Sequence, residues 1–155
     1  MLKLSKLTDY GIVVMTHLAQ EPYQVHAAGD VAVATRVAVP TVSKVLKRLS
    51  RAGLLVSARG SKGGYRLGRM PAAISVAQVI DALEGPFAIT ECASDGGSCS
   101  QESHCAVRAN WQRINDTVWH ALAGVSLADM VMAPAGESVV PVSAITVRPA
   151  RRASR

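Results

Sequence analysis

From residue 31 to residue 80 the chain carries nine Lys and Arg and not one Asp or Glu. Arg36, Lys44, Lys47, Arg48, Arg51, Arg59, Lys62, Arg66 and Arg69 find no ion-pair partner within their own stretch. They must sit at a surface, and what is left to bury is a short apolar list. Val42, Val45, Leu46 and Leu49 recur at i, i+3, i+4 and i+7, the stripe of one helical face. Residues 40–51 are therefore expected to form a helix with an apolar back and a basic front. Pro40 suits its first turn and Gly53 its stop. Leu54–Ser57 and Tyr65–Leu67 then read as short strands around a Gly-rich turn at 59–64, a basic β-hairpin. Tyr65 is expected to pack the hairpin on the core. Fifty residues of one charge sign imply a polyanionic partner, in preference to a merely solvated face.

Helical spacing also predicts a first helix from the 4–9 region to about Gln20, with Thr8 or Asp9 as cap or first-turn residue. A second helix covers Ala28–Thr35, and another, capped by Ser75, ends at Gly85–Pro86. A long helix is expected from about Ser103 to Leu122, with an apolar edge of Val107, Trp111, Ile114 and Val118. Ser126 caps a short last helix. The expected class is mainly α with a small β-wing: a winged helix-turn-helix domain plus a long dimerisation helix. The expected divisions are 1–85 for DNA binding, 86–106 for a cysteine-containing loop, 103–132 for dimerisation and 133–155 for a disordered basic tail. Only six residues are aromatic, so the core must be mostly aliphatic. No apolar run approaches the roughly 20 residues that span a bilayer, and the first residues have no apolar signal stretch. A cytoplasmic protein with no membrane partner is expected.

In a recognition helix, short polar and basic side chains face the groove. Thr41, Ser43 and Lys44 are placed to meet base edges near the helix N-terminus. Lys47, Arg48 and Arg51 are placed to reach phosphates. In the wing, Arg59 and Lys62 flank glycines that permit close approach to a nucleic-acid backbone, and Arg59 suits a narrow minor groove. Double-stranded DNA is the expected partner.

Three cysteines lie within fourteen residues, at Cys92, Cys99 and Cys105. Their odd number argues against a disulfide framework, and the wide gaps depart from the paired Cys-x2–4-Cys of structural zinc. Thiolates in a Gly/Ser-rich loop suit an iron–sulfur cluster, 2Fe–2S or 4Fe–4S. His104, beside Cys105, reads first as an exposed loop residue and is the local alternative for a fourth ligand. No nucleophile–base pair stands out beyond those two neighbours, which point apart on a helix, so an enzyme is not expected. A thiol enzyme or cluster carrier is the alternative from another class.

Leu4–Tyr10 (LSKLTDY), Val42–Leu49 (VSKVLKRL), Ala52–Leu55 (AGLL), Arg59–Leu67 (RGSKGGYRL), the three cysteines and Ser126–Met130 (SLADM) together resemble the Rrf family of bacterial winged-helix regulators. That family includes the iron–sulfur regulator IscR, the nitric-oxide sensor NsrR and regulators of Suf cluster-assembly operons, to which this chain looks most similar. The resemblance covers about residues 1–132. It implies a homodimer that crosses two long helices, here the 103–122 helix. It implies a cluster-controlled repressor of iron–sulfur assembly genes, or a nitric-oxide or redox-responsive repressor using the same cluster. IscR-like members take a His three residues after the last cysteine as fourth ligand; Arg108 stands there in this chain. NsrR-like members take an acid near the N-terminus of the partner subunit, and Asp9 matches that position. Its other reading is a helix-dipole partner.

Overall fold

The computed structural model describes residues 4–60, 62–93, 99–100 and 104–132, with only the backbone of Cys92. The expected disordered tail, the Gly/Ser-rich loop at 94–98 and Ser103, the expected start of the long helix, lie outside the described residues.

Among the described residues six α-helices and one hairpin follow in order: α1 (Lys6–Gln20), α2 (Ala28–Thr35), α3 (Val39–Arg51), β1 (Leu55–Ala58), β2 (Gly64–Leu67), α4 (Val76–Glu84), α5 (Arg108–Ala123) and α6 (Leu127–Met132). Ser5, rather than Thr8 or Asp9, caps α1: its hydroxyl accepts from the Thr8 N–H at 3.2 Å. Thr8 is buried because its own hydroxyl turns to Glu84. Asp9 stays in the first turn, where the helix dipole favours an acid. Arg36, left-handed at φ 56°, ends α2 and opens the turn into α3.

The apolar back of α3 is fully enclosed, with Val42, Val45, Leu46 and Leu49 all at 0% exposure. Each contributes on the order of 2 kcal/mol of burial. They meet Val14, Met15 and Leu18 of α1, Val31 of α2, and Val79 and Leu83 of α4 in one core. Gly53, at φ 75°, stops the helix: the Leu54 N–H returns to the Leu49 carbonyl at 3.0 Å and the Gly53 N–H to Ser50 at 3.1 Å. The chain then enters an antiparallel hairpin with Leu55 opposite Leu67 and Ala58 opposite Gly64. Tyr65 packs partly buried against the core, and its backbone pairs with buried His26 through two 2.9 Å bonds. The wing is thereby fastened to the α1–α2 connection.

Ser75 and Gln78 form a reciprocal capping box at the start of α4. Helix α5 begins at Arg108, later than its periodicity suggests, because a turn from Cys105 to Arg108 (3.2 Å) occupies the preceding residues. Val107 therefore caps the helix and is not part of it. Helix α6, capped by Ser126 through the Asp129 N–H, returns to pack on α1 and buries Leu127.

Candidate nucleic-acid interface and cysteine segment

With 3.6 residues per turn, Pro40, Lys44, Lys47 and Arg51 fall on one line of α3, opposite the buried stripe. All four are exposed. Half-buried Ser43 flanks this line on one side, and half-buried Thr41 flanks it on the other. Arg59 and Lys62, both exposed, stand at the wing, where the hairpin turns through Gly60 at φ 109°. Nothing acidic lies on these elements, so the exposed side chains of α3 and of the wing carry positive charge only.

Arg48 departs from this arrangement. Its guanidinium donates to the Leu83 carbonyl at 2.6 Å, at the C-terminal end of α4. That carbonyl lacks an intrahelical partner and sits at the negative end of the helix dipole, so a cation satisfies both. Charge and periodicity place Arg48 with the phosphate contacts; in the fold its exposed side chain also has a partner inside the molecule. Arg36, not among the expected site residues, has an exposed side chain at the helix-turn-helix corner. Only its membership of the acid-free stretch hinted at it.

On the far side of α4, Cys92 lies in a single helical turn, Glu91–Ala93, packed against α5. Cys99 and Cys105 are free thiols, half-buried, and Cys105 precedes α5. Among the described residues no three His, Cys, Asp or Glu side chains converge as a metal site. That search reaches neither the Cys92 side chain nor residues 94–98. Asp9 and His104 are both exposed, on separate elements. The segment leading to Cys92 is held by two side chains that periodicity did not single out. Asp81 of α4 accepts from the Phe87 N–H at 3.2 Å, and Asn115 of α5 accepts from the Ile89 N–H at 3.0 Å. Asn115 is only 8% exposed. Of the expected interface residues, Val107 at the cap of α5 and Trp111 and Ile114 on it are exposed, and Val118 is half-buried.

A family model described as an iron-dependent transcriptional regulator, Rrf2, matches residues 4–133. The chain belongs to the Rrf2 family. Relatives include the HTH-type transcriptional regulator CymR of Bacillus subtilis, 31% identical over 141 residues, covering 88% of this chain and 94% of CymR. The IscR regulator of Aliivibrio salmonicida is 26% identical over 132 residues, covering 84% of this chain and 78% of IscR. Among solved structures, CymR, titled the global cysteine regulator of B. subtilis, superposes with a TM-score of 0.67 at 30% identity, covering 84% of this chain and 97% of CymR. T. potens IscR gives 0.64 at 27%, covering 84% and 86%. The fold is thus the winged helix-turn-helix of Rrf2 regulators, and the protein is a DNA-binding transcriptional regulator, not an enzyme. Among the described residues no helix is long and apolar enough to cross a membrane.

Proposed function

We propose that this Rrf2 regulator is a cytoplasmic, homodimeric repressor of iron–sulfur assembly genes whose hold on its operator is set by an iron–sulfur cluster. The observation that carries the reading is the cysteine segment. Three thiols lie within fourteen residues, two of them free and partly accessible, and the segment leading to the first is tied to α4 at Phe87 and to α5 at Ile89. The donor chemistry fits: thiolates are the ligands iron–sulfur clusters use, and wide gaps let a loop wrap an object larger than one ion. Cys92, Cys99 and Cys105 would hold the cluster, with Asp9 of a second subunit as fourth ligand and His104 as the local alternative. The cluster supplies sensitivity to oxygen, nitric oxide or cluster supply.

The likeness to CymR favours a second reading, in which the same thiols respond to sulfur metabolites or oxidation without a cluster. One experiment separates the two. Protein purified without oxygen is expected to be brown and to contain iron and sulfide, with the colour lost in each of Cys92→Ala, Cys99→Ala and Cys105→Ala. A colourless wild type, or one holding stoichiometric zinc, contradicts the cluster reading. Asp9→Ala is expected to keep the fold and to make the colour fade faster in air; if only His104→Ala does so, the fourth ligand is His104.

A further inference from the structure

Three polar ties converge on the last turn of α4. From the recognition helix, Arg48 donates to the Leu83 carbonyl at 2.6 Å. From the first turn of α1, the Ser5 N–H and the Thr8 hydroxyl donate to the Glu84 carboxylate at 2.8 and 2.6 Å. From the cysteine side, the Phe87 N–H donates to the Asp81 carboxylate at 3.2 Å, with the Trp119 indole of α5 at a longer 3.5 Å. Gly85, at φ 96°, turns the chain sharply between α4 and that segment. Two residues past Phe87, Ile89 is held by the buried Asn115.

We propose that the last turn of α4 is a junction through which the segment ahead of Cys92 sets the seat of the recognition helix. Asp81 and Asn115 are positioning residues on the cysteine side, and Arg48 is the positioning residue on the DNA side. The sensing half of this inference rests on the cysteines being the sensor; the mechanical half does not. Arg48 lies one turn beyond Lys44 on a rigid helix, so whatever moves the Leu83 carbonyl moves the groove-facing line of α3. The tie is also selective. α3 meets α4 elsewhere through apolar side chains such as Val45 and Leu83, which hold the helices together without fixing their sliding register. A hydrogen bond to one carbonyl does fix it.

The test uses the full chain and three measurements. In hydrogen exchange on metal-free protein, Asp81→Ala is expected to raise exchange at 86–90 and also along α3. Asp81→Asn, which keeps one carbonyl acceptor, is expected to restore protection at both. A rise confined to 86–90 overturns the junction. In anisotropy titrations across a salt series, Arg48→Met is expected to weaken DNA binding with the salt slope unchanged, and Arg48→Lys to recover part of the affinity. Lys47→Ala is expected to lower the slope by about one unit, the loss of one phosphate contact. An equal drop in slope for Arg48→Met makes Arg48 a phosphate ligand and sinks the proposal. Finally, the ratio of affinities between cluster-loaded and stripped protein is expected to shrink by about two- to thirty-fold in Arg48→Met and Asp81→Ala. A wild type with no such ratio refutes the cluster reading alone, and the exchange and slope results then decide the junction.

Discussion

At the position of Gly64 there is no room for a β-carbon: it would collide with the backbone carbonyl of His26, the strand partner that fastens the wing. Gly64→Ala must therefore push β2 off residue 26. It is expected to lower stability by about 1–3 kcal/mol, the usual range for overpacking, read as an earlier denaturant midpoint, and to weaken DNA binding in parallel. An unchanged midpoint would mean that the wing is not held by this pairing. Glu84 offers a pH test. The Thr8 hydroxyl, and after it the Ser5 N–H, hold its carboxyl below the usual carboxylate range. A depressed folded-state value means that the stabilisation is present above the ordinary value of 4.5 and is lost as pH falls through the folded one. Wild type is expected to lose more stability than Glu84→Gln on acidification from neutral pH through that window. The difference is small because Glu84 is exposed. Parallel stability curves would contradict the role. Gly64 and Arg48 mark the limit of what the sequence shows. Gly64 was legible as a turn glycine but not as a steric requirement, because its neighbour lies 38 positions earlier in the chain. Arg48 and Lys47 are adjacent cations, and only the end of α4 distinguishes them.

Among the elements, α3 and α4 were the most legible. Pro40 and Gly53 bound α3, Ser75 and Gly85 bound α4, and the apolar stripes agree with these bounds, so tertiary packing had nothing to override. Helix α5 was less so. Its apolar edge was visible, but its start was shifted by the turn at Cys105 and its buried Asn115 was not anticipated. A polar residue reads as exposed unless its partner is known, and that partner is the backbone of Ile89. The remaining edge is open: Val107 is 48% exposed, Ile114 44% and Trp111 37%. A helix edge of this composition calls for a cover, and a second copy of α5 is the proposed one. Ile114→Asp would then place an unpaired charge in the interface, at a cost of about 3–5 kcal/mol. In sedimentation at micromolar concentration, wild type is expected to run as a dimer and Ile114→Asp to shift toward monomer. A monomeric wild type would show that α5 is covered by something else.

For the whole molecule, the distribution of charge matters more than the net +6. The acid-free stretch includes all of α3 and the wing, and α3 is tied to the end of α4 through Arg48, while the segment leading to Cys92 is tied to α4 through Asp81. The identity of the family was legible in the motifs. The proposed ligand set was not: its cysteines stand at wide gaps in sequence, and its fourth member is proposed on a second subunit. In the proposed function, occupancy of the cysteine segment controls DNA affinity. It is tested most directly by titrating one operator duplex with anaerobically purified protein before and after removal of its cluster. The account predicts affinities that differ by about fivefold or more, the lower range of measured allosteric coupling, with Cys99→Ala and Cys105→Ala behaving like the stripped protein. Equal affinities for loaded and stripped protein, or cysteine variants that match the loaded form, would contradict it.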